Sequence, residues 1–135
     1  MAFTLTEKLR RHVHEDEVVW LGTVSGAGRP TTRPVWFHWD GSAFRVYTSP
    51  GSAKVRHLRA APGASLNFNC SPEGEDVAVV LGTAEVVDDP GPPSADAGYM
   101  ARYAARLPGI GFTPAEFDAS YRVLLRIVPE RSWEL

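Results

Sequence analysis

Three hydroxyls and two cations crowd one short stretch of the chain: in TSPGSAKVR, residues 48 to 56, these are Thr48, Ser49, Ser52, Lys54 and Arg56. The chemistry such a set can do is anion binding. With Ser52 as the cap of a helix, Ala53, Lys54 and Val55 occupy its first turn, where free backbone N–H groups and the helix dipole make a positive end. A lysine there is mildly unfavourable, by roughly 0.3 to 1 kcal/mol, unless an anion sits at the same place. Only two of the 14 Lys and Arg residues are lysines, Lys8 and Lys54, so spending one at this position asks for a reason. Arg33, on the strand before, could swing into the same mouth. The set reads two ways, as a phosphate cradle or as the solvated face of a surface helix bearing Lys54, Arg56 and Arg59. One helical turn does not separate them.

Other chemistries find less support. His12 and His14 stand two residues apart and point to different faces of a helix, while His38 and His57 have no second ligand at metal spacing. SGAGRP (residues 25 to 30) lacks the remaining glycine and the helix of a dinucleotide fingerprint and the lysine of a P-loop, which leaves a hairpin loop. No serine sits in a G-x-S-x-G elbow, so hydrolysis is not indicated. Trp20, Trp36, Trp39 and Tyr47 offer flat surfaces on which an aromatic ring could stack, or serve as core. Asn67 and Asn69 alternate to the polar face of a strand, toward solvent or a ligand.

The elements that must position these groups are mostly strands. A short helix follows Thr4 or Thr6 and ends near His14, with Phe3, Leu5, Leu9 and Val13 at helical spacing. From Val18 the texture turns to β-branched and aromatic residues. VVWLGTVS and TTRPVWFHW, separated by GAGRP, predict a first hairpin, and Asp40-Gly41 closes a second with AFRVYT returning. A helix from Ala53 to about Ala60 stops before Pro62. ASLNFNC and DVAVVLGTAEVVDD give two further strands. DPGPPSADAG then crosses to a helical segment at 97 to 107, and TPAE at 113 to 116 is a capping box with proline at the first helical position. YRVLLRIVP is the last of six strands, and the whole predicts a β-rich antiparallel barrel with short helices at its edges.

Bulk properties agree with one compact unit over residues 1 to 135. The chain has 44% hydrophobic and 22% charged residues and a formal net charge of −2, which suggests no polyanion such as nucleic acid as partner. One cysteine, Cys70, allows no internal disulfide and is expected to pack as a small apolar residue in a reducing, cytoplasmic setting. No stretch approaches the ~18 apolar residues of a membrane span, and the N-terminal segment lacks the apolar run of a signal peptide.

Strand RPVWF, the Asp-Gly turn, a strand ending YTS, then S-x-K-x-x-x-L with a proline shortly after, together resemble the pyridoxamine 5′-phosphate oxidase-like family of flavin and deazaflavin proteins. The tail YMARYAARLPGIGFTPAEFDASYRVLLRIVP is similar to the branch that uses the deazaflavin coenzyme F420. The resemblance runs from about Val18 to Pro129. It implies a split β-barrel, a homodimer with two cofactor sites at its interface, and an F420-dependent oxidoreductase. Such an enzyme transfers a hydride between the coenzyme and a conjugated small-molecule acceptor, with no dedicated catalytic residue. It further implies that Val35 and Trp36 lie along the cofactor ring and that Thr48, Ser52 and Lys54, with Ser49, Arg56 and Arg33 nearby, hold the phosphate-bearing tail. The flavin mononucleotide (FMN) oxidases share Arg33 and Lys54 but carry arginine where this chain has Ala53, which favours the deazaflavin. Arg33, where many deazaflavin relatives have a small polar residue, keeps FMN as the alternative, with a non-catalytic flavin or haem carrier as a further one.

Overall fold

The computed structural model of the chain describes residues 3–135. Four helices, α1 (Glu7–Glu15), α2 (Ala53–Ala60), α3 (Ala97–Tyr103) and α4 (Pro114–Ser120), surround seven strands. The strands are β1 (Val19–Val24), β2 (Pro30–Val35), β3 (His38–Trp39), β4 (Phe44–Thr48), β5 (Gly63–Asn67), β6 (Ala78–Val87) and β7 (Val123–Glu134). They form one antiparallel sheet in the order β2-β1-β5-β6-β7-β4-β3. β2 and β3 are separated by two residues in sequence yet sit at opposite edges of that order, so the sheet has to curl until its edges nearly meet. This is the split β-barrel.

The count of strands is a correction to the sequence expectation. Residues 31 to 39 read as one continuous strand, but the chain breaks at Trp36 and Phe37. The cause lies far away in sequence: Tyr103 Oη accepts the Phe37 N–H at 2.9 Å and lies 2.8 Å from the carbonyl oxygens of Phe37 and Glu17, between which it shares its own proton. A backbone unit whose N–H and C=O are both taken by a side chain cannot continue a ladder. Arg102 reinforces the corner, its guanidinium 4.6 Å from the centre of the Phe37 ring and its Nη1 donating to Val13 O at 2.9 Å.

β7 also runs beyond its expected end at Pro129, to Glu134. Proline removes a donor from the ladder; the pairing survives because the β6–β7 register shifts between Leu81 and Gly82, opposite Arg131 and Pro129. Gly82 is needed there, since a Cβ at that position would stand 2.3 Å from Val128 O. The helical segment expected at 97 to 107 ends as α3 at Tyr103 and continues as two 3-10 turns, 104–106 and 108–110. α4 starts on the full capping box of Thr113 and Glu116.

Alternation along β4 and β7 divides the apolar residues between two cores. Phe44 and Val46 of β4 and Val123, Leu125 and Ile127 of β7 face the barrel interior with Leu9, Leu21, Leu66 and Phe68. Their neighbours Tyr47 and Leu124, paired in register, face the other way into a second cluster with Tyr99, Tyr103, Leu107 and Phe117. The barrel is thus filled, and the second cluster glues the crossover helices to its outside.

One smaller expectation fails for an identifiable reason. Cys70 is exposed, because it follows the end of β5 at the start of a loop. His12 is buried: Nδ1 lies 2.6 Å from Asp16 Oδ2 and Nε2 3.1 Å from Asp76 O, tying α1 to the loop before β6.

Candidate functional site

The last residues of β2, the end of β4 and the first turn of α2 meet at one mouth, where Pro34, Val35 and Trp36 face Tyr47, Thr48 and Lys54 across a cleft of about 270 Å³. Tyr99 of α3, Phe117 of α4 and Tyr121 close it from the crossover side, with Ile110 at the rim. The break after β2 matters here, because it turns Trp36 out of the sheet. Its ring stacks on Tyr103, centroids 4.6 Å apart and planes within 5°, and on Phe117 at 5.9 Å. The walls are therefore flat and aromatic, and fixed by the second core.

Lys54 is the charge in this cleft. The side chain is half-buried, and among the described residues it has no carboxylate within ion-pair distance. Burial pulls its ionisation below the ordinary lysine range, and the charge of Arg33 pushes the same way. A cation held in an apolar wall with another cation as its neighbour is a place where an anion is favoured. Ser52 occupies the N-cap position of α2 in an extended conformation, but its side chain does not cap; its Oγ instead accepts from Thr48 Oγ1 at 3.2 Å. No side chain among the described residues therefore caps the first turn of α2, where only the Val55 N–H is answered, by the Ser52 carbonyl at 3.2 Å.

Of the residues singled out in the sequence, the cleft brings together Val35, Trp36, Tyr47, Thr48 and Lys54. Ser52 lies behind Thr48, and Arg56 donates to Gly51 O at 3.0 Å rather than toward the cleft. Ser49 follows the β4 end outside the lining, and Arg33 lies on the exposed edge strand β2, where its own guanidinium reaches Thr32 O at 2.9 Å. Trp39 packs on Phe44 and Trp20 donates to Asn69, so neither stacks in the cleft. Sequence reasoning missed Tyr99, Phe117 and Tyr121 as wall residues. The signal that could have found them is the density of aromatics in the tail from Tyr99 to Tyr121, more than short helices need for one buried face each.

Tyr47 separates this cleft from a second, more polar one of about 340 Å³ that holds His38, Asp40, Arg45 and Asp96. Here the charges already answer one another. Asp96 Oδ2 accepts from Arg45 Nε and from Tyr47 Oη, both at 2.9 Å, while Oδ1 caps α3 through the Tyr99 N–H at 3.1 Å. Burial works against ionisation of Asp96, but these hydrogen bonds outweigh it and hold the carboxyl below its usual range. This network fixes Tyr47 and the start of α3, and so the back wall of the aromatic cleft.

Comparison with known proteins agrees with this architecture. The sequence matches the pyridoxamine 5′-phosphate oxidase family over residues 5–135. The chain belongs to that family. Among solved structures it is similar to an F420 reductase, at 22% identity over 97% of this chain and 100% of the other with a TM-score of 0.75. It is also similar to the heme storage protein HutZ of Vibrio cholerae, at 17% identity, 98% and 95% coverage and a TM-score of 0.71. General stress protein 26 of Bacillus anthracis follows at 17% identity, 94% and 90% coverage and a TM-score of 0.70. A search of curated protein sequences returns no match. At these identities the shared property is the fold.

Proposed function

We propose that the protein is an oxidoreductase that binds coenzyme F420 in the cleft beside Lys54 and passes a hydride between it and a conjugated small molecule. One observation carries this reading: a half-buried lysine without a counter-ion, set in an aromatic wall at the first turn of α2. The donors fit a flat ring bearing a phosphate. Lys54 and the uncapped amides of α2 meet the anion, with Thr48 beside them, and Val35, Trp36 and Phe117 flank the ring. The coenzyme supplies the hydride at its central ring carbon when bound. The chain's own residues hold the ring against the β2 end and keep water from it. Likeness to an F420 reductase over the whole chain supports the choice of coenzyme.

FMN is the second reading. The observation in its favour is Arg33, close enough to Lys54 for its charge to be felt there and available as a second cation for a phosphate. A heme carrier has less behind it, since neither His38 nor His57 lines the aromatic cleft. The test is titration of the purified protein with F420 and with FMN, followed by tryptophan and cofactor fluorescence. Selective F420 binding at micromolar level or tighter bears the proposal out, selective FMN binding turns it to an oxidase or flavin carrier, and binding of neither removes it.

The working unit in this reading is a homodimer of one-domain, cytoplasmic chains. The outer face of the sheet supports it: Trp20, Asn67, Val79 and Trp133 fall in one row across β1, β5, β6 and β7, with Trp20 38% and Trp133 56% exposed. Two tryptophans in such a row are the anchor type that interfaces favour.

A further inference from the structure

Tyr99 is 1% exposed, packed between Tyr47, edge-on at 4.8 Å, and Tyr103 at 5.0 Å. Its two tyrosine neighbours have answered hydroxyls, Tyr47 through Asp96 and Tyr103 through Phe37 and Glu17. The Tyr99 hydroxyl has no such partner among the described residues. Yet none of their buried side-chain polar atoms is left unpaired, so the Tyr99 hydroxyl keeps some access to solvent, and Tyr99 is one of the residues that line the aromatic cleft. A phenol built into a core with its O–H unpaired and not sealed off is a donor awaiting an acceptor.

The geometry points to Tyr99 as the residue that reads the ligand's ring, by donating a hydrogen bond from its hydroxyl to a ring carbonyl oxygen while Lys54 meets the phosphate. This inference rests on the reading of the cleft as a site for a phosphate-bearing, flavin-like ring. Burial pushes the Tyr99 hydroxyl well above the ordinary tyrosine range, which keeps it protonated at any physiological pH: a donor only, not a base. It would favour ligands that present a carbonyl edge over aromatic ligands that do not, a selection that the apolar walls alone cannot make.

The two ends of the site can be tested apart with two pairs of probes, FMN with riboflavin and F420 with its phosphate-free chromophore. Tyr99→Phe is expected to weaken both members of the pair that the wild type binds by the same factor, roughly five- to tenfold for one neutral hydrogen bond. Lys54→Ala is expected to weaken only the phosphate-bearing member. Because the hydroxyl has no partner among the described residues, Tyr99→Phe should leave the melting temperature of the ligand-free protein unchanged or slightly raised. Equal affinity of wild type and Tyr99→Phe overturns the inference while leaving the cleft's assignment intact. A lowered melting temperature with weakened binding also overturns it, by making Tyr99 structural. Failure of the wild type to bind any of the four probes overturns both the cleft's assignment and the inference.

Discussion

Lys54 is a residue whose cost and purpose can be separated by experiment. A cation pulled into the cleft wall without a partner is a burden on the ligand-free fold, so Lys54→Met is expected to raise the melting temperature of the free protein while weakening F420 or FMN binding. Lys54→Ala removes a charge-assisted contact, and the expected loss of affinity for the phosphate-bearing ligand corresponds to roughly 1.5 to 3 kcal/mol. The pH dependence has a definite sign. Because burial and Arg33 lower the folded-state pKa of Lys54 below its ordinary 10.5, the unfolded chain holds that proton more tightly than the folded one. The burden is present in full below the folded-state value and is relieved as pH rises from there toward 10.5, so stability rises across that window. Affinity for a phosphate ligand should fall across the same window, and titrations at stepped pH measure it. Tyr103 acts on a different footing. Tyr103→Phe leaves the buried Phe37 amide without its acceptor and should cost about 1 to 3 kcal/mol in urea unfolding, with loss of ligand binding because the Trp36 corner goes with it.

At the scale of elements, local signals were read well and distant ones were not. The Asp40-Gly41 turn, α2 and the Thr113 capping box stand where sequence placed them, each being decided by neighbours within four positions. The break at Trp36 was invisible because Tyr103, 66 residues from Phe37, decides it. Pro129 looked like a strand end because a proline ends ladders in general; the bulge that admits it, with Glu130 the extra residue of β7, depends on Gly82 across the ladder. The candidate site divides in the same way. Lys54 and Thr48 were legible from a local pattern, while the opposite wall of Tyr99 and Phe117 depends on how α3 and α4 dock, which no local pattern states. Gly82 offers the sharpest test of the bulge. Gly82→Ala sets a methyl against the Val128 carbonyl oxygen, and backbone cannot retreat as a side-chain tip can. The expected cost is at least about 1 to 3 kcal/mol, read as a shifted urea midpoint.

Over the whole molecule, the exposed tryptophan row on the outer sheet face is expected to be a protein–protein interface. Light scattering at micromolar concentration should give the mass of two chains, and Trp133→Glu should return it to one, since a charge buried in that contact is left desolvated and unpaired. A monomeric wild type would remove the dimer.

The order of strands carries one more consequence. β7, seventh of these strands in sequence order, lies in the interior of the sheet between β6 and β4, and β4 has no other long partner among the described strands, its pairing with β7 joining Phe44 to Ile127. A ribosome would therefore carry β1 to β6 with a slot open in their midst and the rim of β4 bare. Closure has to wait for residues 123 to 134, and contacts that bridge so much chain form slowly. During that interval the open slot is where a chaperone, or another nascent copy, would find its hold.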